Sequence, residues 1–187
     1  MIQTSNLYEY LRDLNLKPHF FGLGFIQVKV NHYERYHFYH ESLNPIVNHE
    51  EEVHDHRYDF DSTVLKGAIL NKKYLWTACD RENARYYMKK ESCNQNIKLS
   101  EEENPDVFGN IELLSTSLIP EHTTYHMGHM ELHTVAAKNC ITHLKRSDYK
   151  KDLSRVVRPI GGYVVCPFSQ PLTPDACWEI IESMVKA

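Results

Sequence analysis

From Gly22 to about residue 168 the chain reads as a succession of short strands, and this pattern limits its fold more than any other. FIQVKV at 25–30 and RYHFYH at 35–40 alternate apolar and polar residues with the two-residue period of a half-buried strand. Asn31 and His32 lie between them as a candidate tight turn. Further strands are predicted at 68–78 and 84–90, joined around Asp80–Asn83, and at 111–119, 123–127, 132–136, 140–145 and 155–166. A polar loop containing Pro45 precedes residue 54. Residues 91–106, polar and acidic and ending in Asn104-Pro105-Asp106, are the expected mobile loop.

Helices flank the strands. Residues 5–15 place Leu7, Tyr10, Leu11 and Leu14 on one face, with Ser5 as a cap and Pro18 as a stop. A closing helix over about 174–186 has Thr173 as its cap, Pro174 at its first position and Trp178, Ile181 and Val185 as its apolar stripe. Short strands between terminal helices predict a mainly β sandwich or barrel, with residues 1–187 forming one domain. The 12 Tyr and 7 Phe suit strands.

Composition excludes several function classes. A net charge of −4 without a long Lys/Arg run argues against a nucleic-acid groove, although a small cationic pocket remains compatible. No run of 18 apolar residues suggests a membrane span, and the start lacks the pattern of a secretory leader. Five widely spaced cysteines without a CxxC read as reduced thiols of a cytoplasmic protein, with Cys79, Cys140 and Cys166 in the core. There is neither a Gly-rich phosphate loop nor a GxSxG elbow.

The 12 histidines are the chemically informative feature. His54 and His56, two apart on a strand, project to the same face, close enough to share an ion at roughly 2.0–2.1 Å. His133 lies in a second strand-like segment, ELHTVAA, that a hairpin or barrel can bring opposite the first. Three neutral imidazoles leave coordination positions open, as a catalytic site requires. His126 and His129 are weaker candidates, as partners of the ligands or as surface residues. His122 and His143 read as surface or satisfied core. His49 and Glu51 imitate a metal-binding pair but lie in a polar loop with no strand after it.

HDHRYDFDSTVLKG at 54–67 resembles the first motif of the cupin superfamily, in which HxH is followed by a spacer and a strand ending in Gly. YHMGHMELHTVAAKN at 125–139 resembles the second, looser motif. The resemblance covers roughly 22–168 and implies a jelly-roll, or double-stranded β-helix, barrel. Many cupins add a glutamate ligand four or five residues after the second histidine, where this chain has Phe60 and Asp61. Phe60 is expected to face the interior, so a three-histidine site is favoured, as in the thiol dioxygenases, with Asp61 or Asp59 as the fourth candidate. That set is compatible with Fe(II), and also with Zn, Mn or Ni.

Tyr58 and Tyr125 share the inward parity of the ligands and are the candidate catalytic residues, able to orient substrate by hydrogen bonding. Arg35 and Arg57 can pair with a substrate carboxylate or phosphate, with Arg57 on the solvent parity. The leading expectation is a metal-dependent cupin acting on a small polar molecule, with Fe(II) oxygenase chemistry first. A hydrolase, lyase or isomerase, or a non-catalytic module binding a sugar or nucleotide, is the alternative. A homodimer through the aromatic strands of 20–40 is expected by analogy with the fold.

Overall fold

The computed structural model describes residues 4–43, 53–91, 100, 102–162 and 172–186. Strands dominate, and among the described residues every strand pairing is antiparallel. One sheet is built from β1 (Pro18–Phe21), β2 (Phe25–Lys29), β3 (Glu34–Tyr39), β5 (Phe60–Lys66), β9 (Thr124–Met127) and β11 (Cys140–Arg146), in the order β1-β2-β3-β11-β5-β9. The rest close into a six-stranded barrel: β4 (Val53–His54), β6 (Ala68–Ala78), β7 (Tyr86–Glu91), β8 (Val107–Pro120), β10 (Leu132–Ala137) and β12 (Ser154–Pro159), in the order β10-β4-β12-β7-β8-β6.

The chain passes between sheet and barrel at tight turns after β5, β8 and β10. Gly67, between β5 and β6, has φ +77, and a Cβ there would come 2.7 Å from the Asn139 carbonyl oxygen in the turn after β10. Two crossing turns therefore pack back to back, and only glycine combines the left-handed backbone with the missing side chain.

The open sheet has two different faces. Ile26, Val28, Tyr36, Phe38 and Ile141 project outward and form a core with α1 (Leu7–Asp13) and α2 (Pro174–Lys186). The opposite face meets the barrel through Tyr39, Val64, Ile69, Ile119 and Cys140. In α2 the Ala176 amide donates to Thr173 Oγ1 at 3.2 Å, and Trp178, Ile181 and Val185 are buried as the helical spacing predicts.

The first helix is shorter than its sequence pattern. Asn6 rather than Ser5 occupies the cap position, and the Ser5 hydroxyl turns to Asn6 Oδ1 at 3.4 Å instead. Leu14 is exposed, because α1 stops at Asp13 and Asn15 turns left-handed at φ 52, which takes Leu14 off the stripe. The β2–β3 turn is also wider than two residues: Val30 and Asn31 both donate to the Glu34 carbonyl, and Asn31 Oδ1 accepts the Tyr33 amide at 2.7 Å. Cys79 is half-buried beyond the end of β6 rather than in the core, whereas Cys140 is buried. Cys166, the Pro45 loop, the His49–Glu51 pair and most of the polar stretch at 91–106 lie outside the described residues. Among the described residues no helix is long and apolar enough to cross a membrane.

Candidate metal centre

His54 and His133 face one another in register where β4 pairs with β10. Directly opposed residues of an antiparallel pair hold their Cβ atoms about 5 Å apart, which is why residues distant in sequence present adjacent rings. The strand argument does not extend to His56, because β4 ends at His54 and residues 55–59 are irregular. A buried carboxylate does that work. Asp55 has no exposed side-chain surface; its Oδ2 accepts from Lys151 Nζ and Arg155 Nε at 2.5 Å each, and its Oδ1 accepts the Arg155 amide at 2.7 Å. The Asp55 amide donates to the Arg155 carbonyl at 3.0 Å. Arg155 Nη2 also donates to the Met130 carbonyl at 2.8 Å, in the turn before β10. One ion-pair cluster thus ties both halves of the histidine set together.

The result is a nearly equilateral triangle of rings, with centroid separations of 5.0 Å for His54–His56, 5.1 Å for His54–His133 and 5.0 Å for His56–His133. One ligand nitrogen from each lies within 4.8 Å of the others. The Nε2 atoms of His56 and His133 are 2.9 Å apart. That is the spacing of two nitrogens at right angles around an ion roughly 2.05 Å from each.

His133 Nδ1 lies 3.0 Å from Asn71 Oδ1, and the Asn71 amide nitrogen faces Met127 Sδ at 3.7 Å. The carbonyl can only accept, so Nδ1 carries the proton and Nε2 keeps its lone pair. Burial holds the His56 and His133 imidazoles well below the ordinary histidine range, with the neighbouring histidines adding to the effect. Both are neutral at neutral pH, the form that binds a metal. The donor set fits one divalent ion held by His54, His56 and His133.

Other predicted candidates are engaged elsewhere. Asp61 pairs with His126 at 2.9 Å, and both are largely exposed. Asp59 Oδ1 accepts the His129 amide and faces its Nδ1, both at 2.7 Å, and these bonds hold the carboxyl below its usual range. None of the four joins the histidine group. His122 is exposed, and His143 pairs with Glu34 at 2.5 Å while stacking on Tyr36. Arg57 donates to the Asp152 carbonyl and the Tyr149 hydroxyl.

A pocket of about 90 Å³ opens beside the triangle, walled by Phe25, His37, Tyr39, Phe60, Tyr125 and Val135 among others. Phe60 is buried and faces the interior as its parity predicts, 4.8 Å from the His56 ring. Tyr125 lines the pocket, and burial pushes its hydroxyl up to about 12, so it is a protonated donor at neutral pH. Tyr58 sits behind the wall. Its ring is 5.5 Å from His56 and lies under the guanidinium carbons of Arg146 at 4.7 Å and Arg35 at 5.3 Å.

Sequence reasoning missed Asn71, Asp55 and His37. Asn71 is a lone amide in the apolar start of β6, and that is a usable signal. Asp55 has the parity of a solvent-facing residue, and nothing local announces its burial. Asn71→Ala is expected to weaken Zn(II) binding about 10- to 100-fold, the usual cost of losing a group that orients a histidine ligand. Competition with a chromophoric chelator measures it, and unchanged affinity would remove Asn71 from the site.

His37 makes a pH-dependent contribution to stability. Burial, assisted by the Arg35 charge, pushes it down to about 3, and Gln27 Nε2 donates to its Nε2 at 3.2 Å. The unfolded chain takes up this proton below about pH 6.5 and the folded chain only near pH 3, so the contribution is complete above 6.5 and lost as pH falls through that window. His37→Gln is expected to reduce the fall in urea stability of metal-free protein between about pH 6.5 and 4.5 by up to roughly 2–3 kcal/mol. An unchanged fall would show that His37 is not the group responsible.

No protein-family model and no curated protein matches the sequence.

Proposed function

We propose that this chain is a cupin whose His54, His56 and His133 hold one divalent metal, Fe(II) first, for oxygenase-type chemistry on a small polar molecule. The observation that carries the reading is the convergence of three imidazoles on the wall of one pocket, with no carboxylate joining them among the described residues. The repeated passage of the chain between open sheet and barrel after β5, β8 and β10 supports the jelly-roll assignment. A bound ion would supply Lewis acidity and, if redox-active, electrons. The chain's own residues define the rest: Asn71 sets the His133 tautomer, Phe60 and Val135 give the pocket apolar walls, and Tyr125 lines it with a protonated hydroxyl hydrogen-bonded to Ser62. Tyr58 acts through His56 and the arginines packed on it rather than by touching substrate.

Elemental analysis of anaerobically purified protein tests the reading. About one iron per chain, with oxygen consumption on addition of small organic acids, is the expected result. Stoichiometric zinc or manganese would replace oxygenase chemistry by hydrolysis, elimination or isomerisation. No metal even after reloading under reducing conditions would overturn the metal site and leave a ligand-binding module.

A further inference from the structure

The second half of β8 is an edge. The strand pairs with β7 over Val107–Gly109 and with β6 over Gly109–Pro120. From Asn110 onward no described residue pairs with its other side. In a strand paired on one side only, every second residue turns its amide and carbonyl away from the sheet. Natural edges are blunted by lysines, by prolines or by brevity. This one is long and carries no charge between Glu112 and Glu121, and Lys72 and Lys73 lie one strand in, on β6. Residues Glu112–Leu118 are all exposed. Leu118 and Leu114, at 70% and 67%, are the most exposed large apolar side chains among the described residues, and Leu113 adds 53%. A single exposed leucine needs no explanation, but three on one bare edge form a patch that marks a contact. A bulge at Leu114, where Lys73 faces Ser115 and Tyr74 faces Leu113, leaves Ser115–Pro120 in regular pairing with β6.

The sequence of the edge says what covers it. LLSTSLI at 113–119 reads nearly the same in both directions about Thr116. Antiparallel pairing of two such strands about a two-fold axis at Thr116 sets Leu114 opposite Leu118 of the second copy and Ser115 opposite Ser117. Leu113 then faces Ile119, and Thr116 faces itself. Every facing pair is like with like, and no charge meets a charge, as a stable ladder requires. Glu112, the first charged residue outward, faces Pro120 of the second copy. A two-fold contact has to be self-complementary, and this strand is. The apolar row also continues inward, from Leu118 to Leu70 on β6 and Ala136 on β10. By contrast, the aromatic strands of 20–40 spend one side on α1 and α2 and the other on the barrel.

We propose that β8 pairs with β8 of a second copy of this chain, antiparallel about Thr116, joining the two barrels edge to edge. The contact needs no metal and is independent of the functional reading above.

Sedimentation equilibrium of full-length protein under reducing conditions is expected to show a reversible dimer by roughly 100 µM, the contact lying at the small end of specific interfaces. Thr116→Lys sets two ammonium groups face to face on the axis and is expected to weaken the dimer roughly tenfold or more. Thr116 is exposed, so circular dichroism should stay that of the wild type. Cysteine variants read the register, because directly opposed residues have Cα atoms about 4.5–5.5 Å apart, within the reach of a disulfide. Under mild oxidation Thr116→Cys is expected to link to itself across the axis, identified by mass spectrometry of the linked peptide. Leu114→Cys is expected to link only when mixed with Leu118→Cys. A protein that stays monomeric at roughly 100 µM would overturn the pairing and leave the edge to a different strand. A dimer indifferent to Thr116→Lys would overturn it and place the interface elsewhere. Self-linking of Leu114→Cys as readily as Thr116→Cys would overturn it as well, since only random collision gives that pattern.

Discussion

His133→Ala is expected to lose Zn(II) and Fe(II) affinity by more than about 100-fold, exceeding the roughly 10- to 100-fold cost of disturbing a group that merely orients a ligand. The reason is geometric. His133 is the member whose tautomer is set by Asn71, whose Nε2 lies 2.9 Å from that of His56, and which faces His54 across the ladder. Without it the two remaining imidazoles are an HxH pair with His54 at the end of β4 and His56 on the irregular segment after it, a weak chelate. The variant keeps the strand, since β10 is held along its length by β6, so circular dichroism should remain that of the wild type. Chelator competition at neutral pH reads the affinity. Wild-type affinity in His133→Ala would show that the triangle is not a metal site, whatever its shape.

Asp55→Asn is expected to act on stability and on the site together. The carboxylate is fully buried and holds Lys151 and Arg155, so its neutralisation leaves both cations without their anion. Breaking a buried pair costs about 3–5 kcal/mol. Lys151 and Arg155 each keep about a fifth of their side-chain surface in water, so a loss of roughly 2–3 kcal/mol in urea unfolding is expected, at or below the low end of that range. Metal affinity should fall with it by about 10- to 100-fold, because the segment carrying His54 and His56 loses its anchor to β12 and to the turn before β10. A double-mutant cycle with Lys151→Met separates the ion pair from the backbone bonds: a coupling near zero would assign the effect to the Arg155 contacts alone. Stability lost with metal affinity intact would make Asp55 a folding residue and not a positioning one.

Much of this molecule is legible in its sequence where the signal is local. The strands at 68–78 and 140–145 and the helix from Pro174 fall where alternation, spacing and capping put them. Phe60 faces inward because its parity in β5 says so. Expectations fail where a local rule is continued past the element it describes. Leu14 leaves the helical stripe once the backbone turns at Asn15. His56 is treated as a strand residue although the strand has ended, and it reaches the triangle for a different reason, the Asp55 cluster.

Ligand types and their candidate positions follow from residue chemistry and short spacing alone, since imidazoles close together in a chain are recognisable without a fold. Which histidines meet is decided elsewhere. His126 and His129 lie closer in sequence to His133 than His54 does, yet they turn to Asp61 and Asp59, while β4–β10 pairing brings His54 from far along the chain. The same holds for buried polar residues of the open sheet: Gln27, His37 and Thr142 become neighbours only through register across three strands. Register and sheet order are set by the burial of whole faces at once, a sum over many residues that no window of sequence contains.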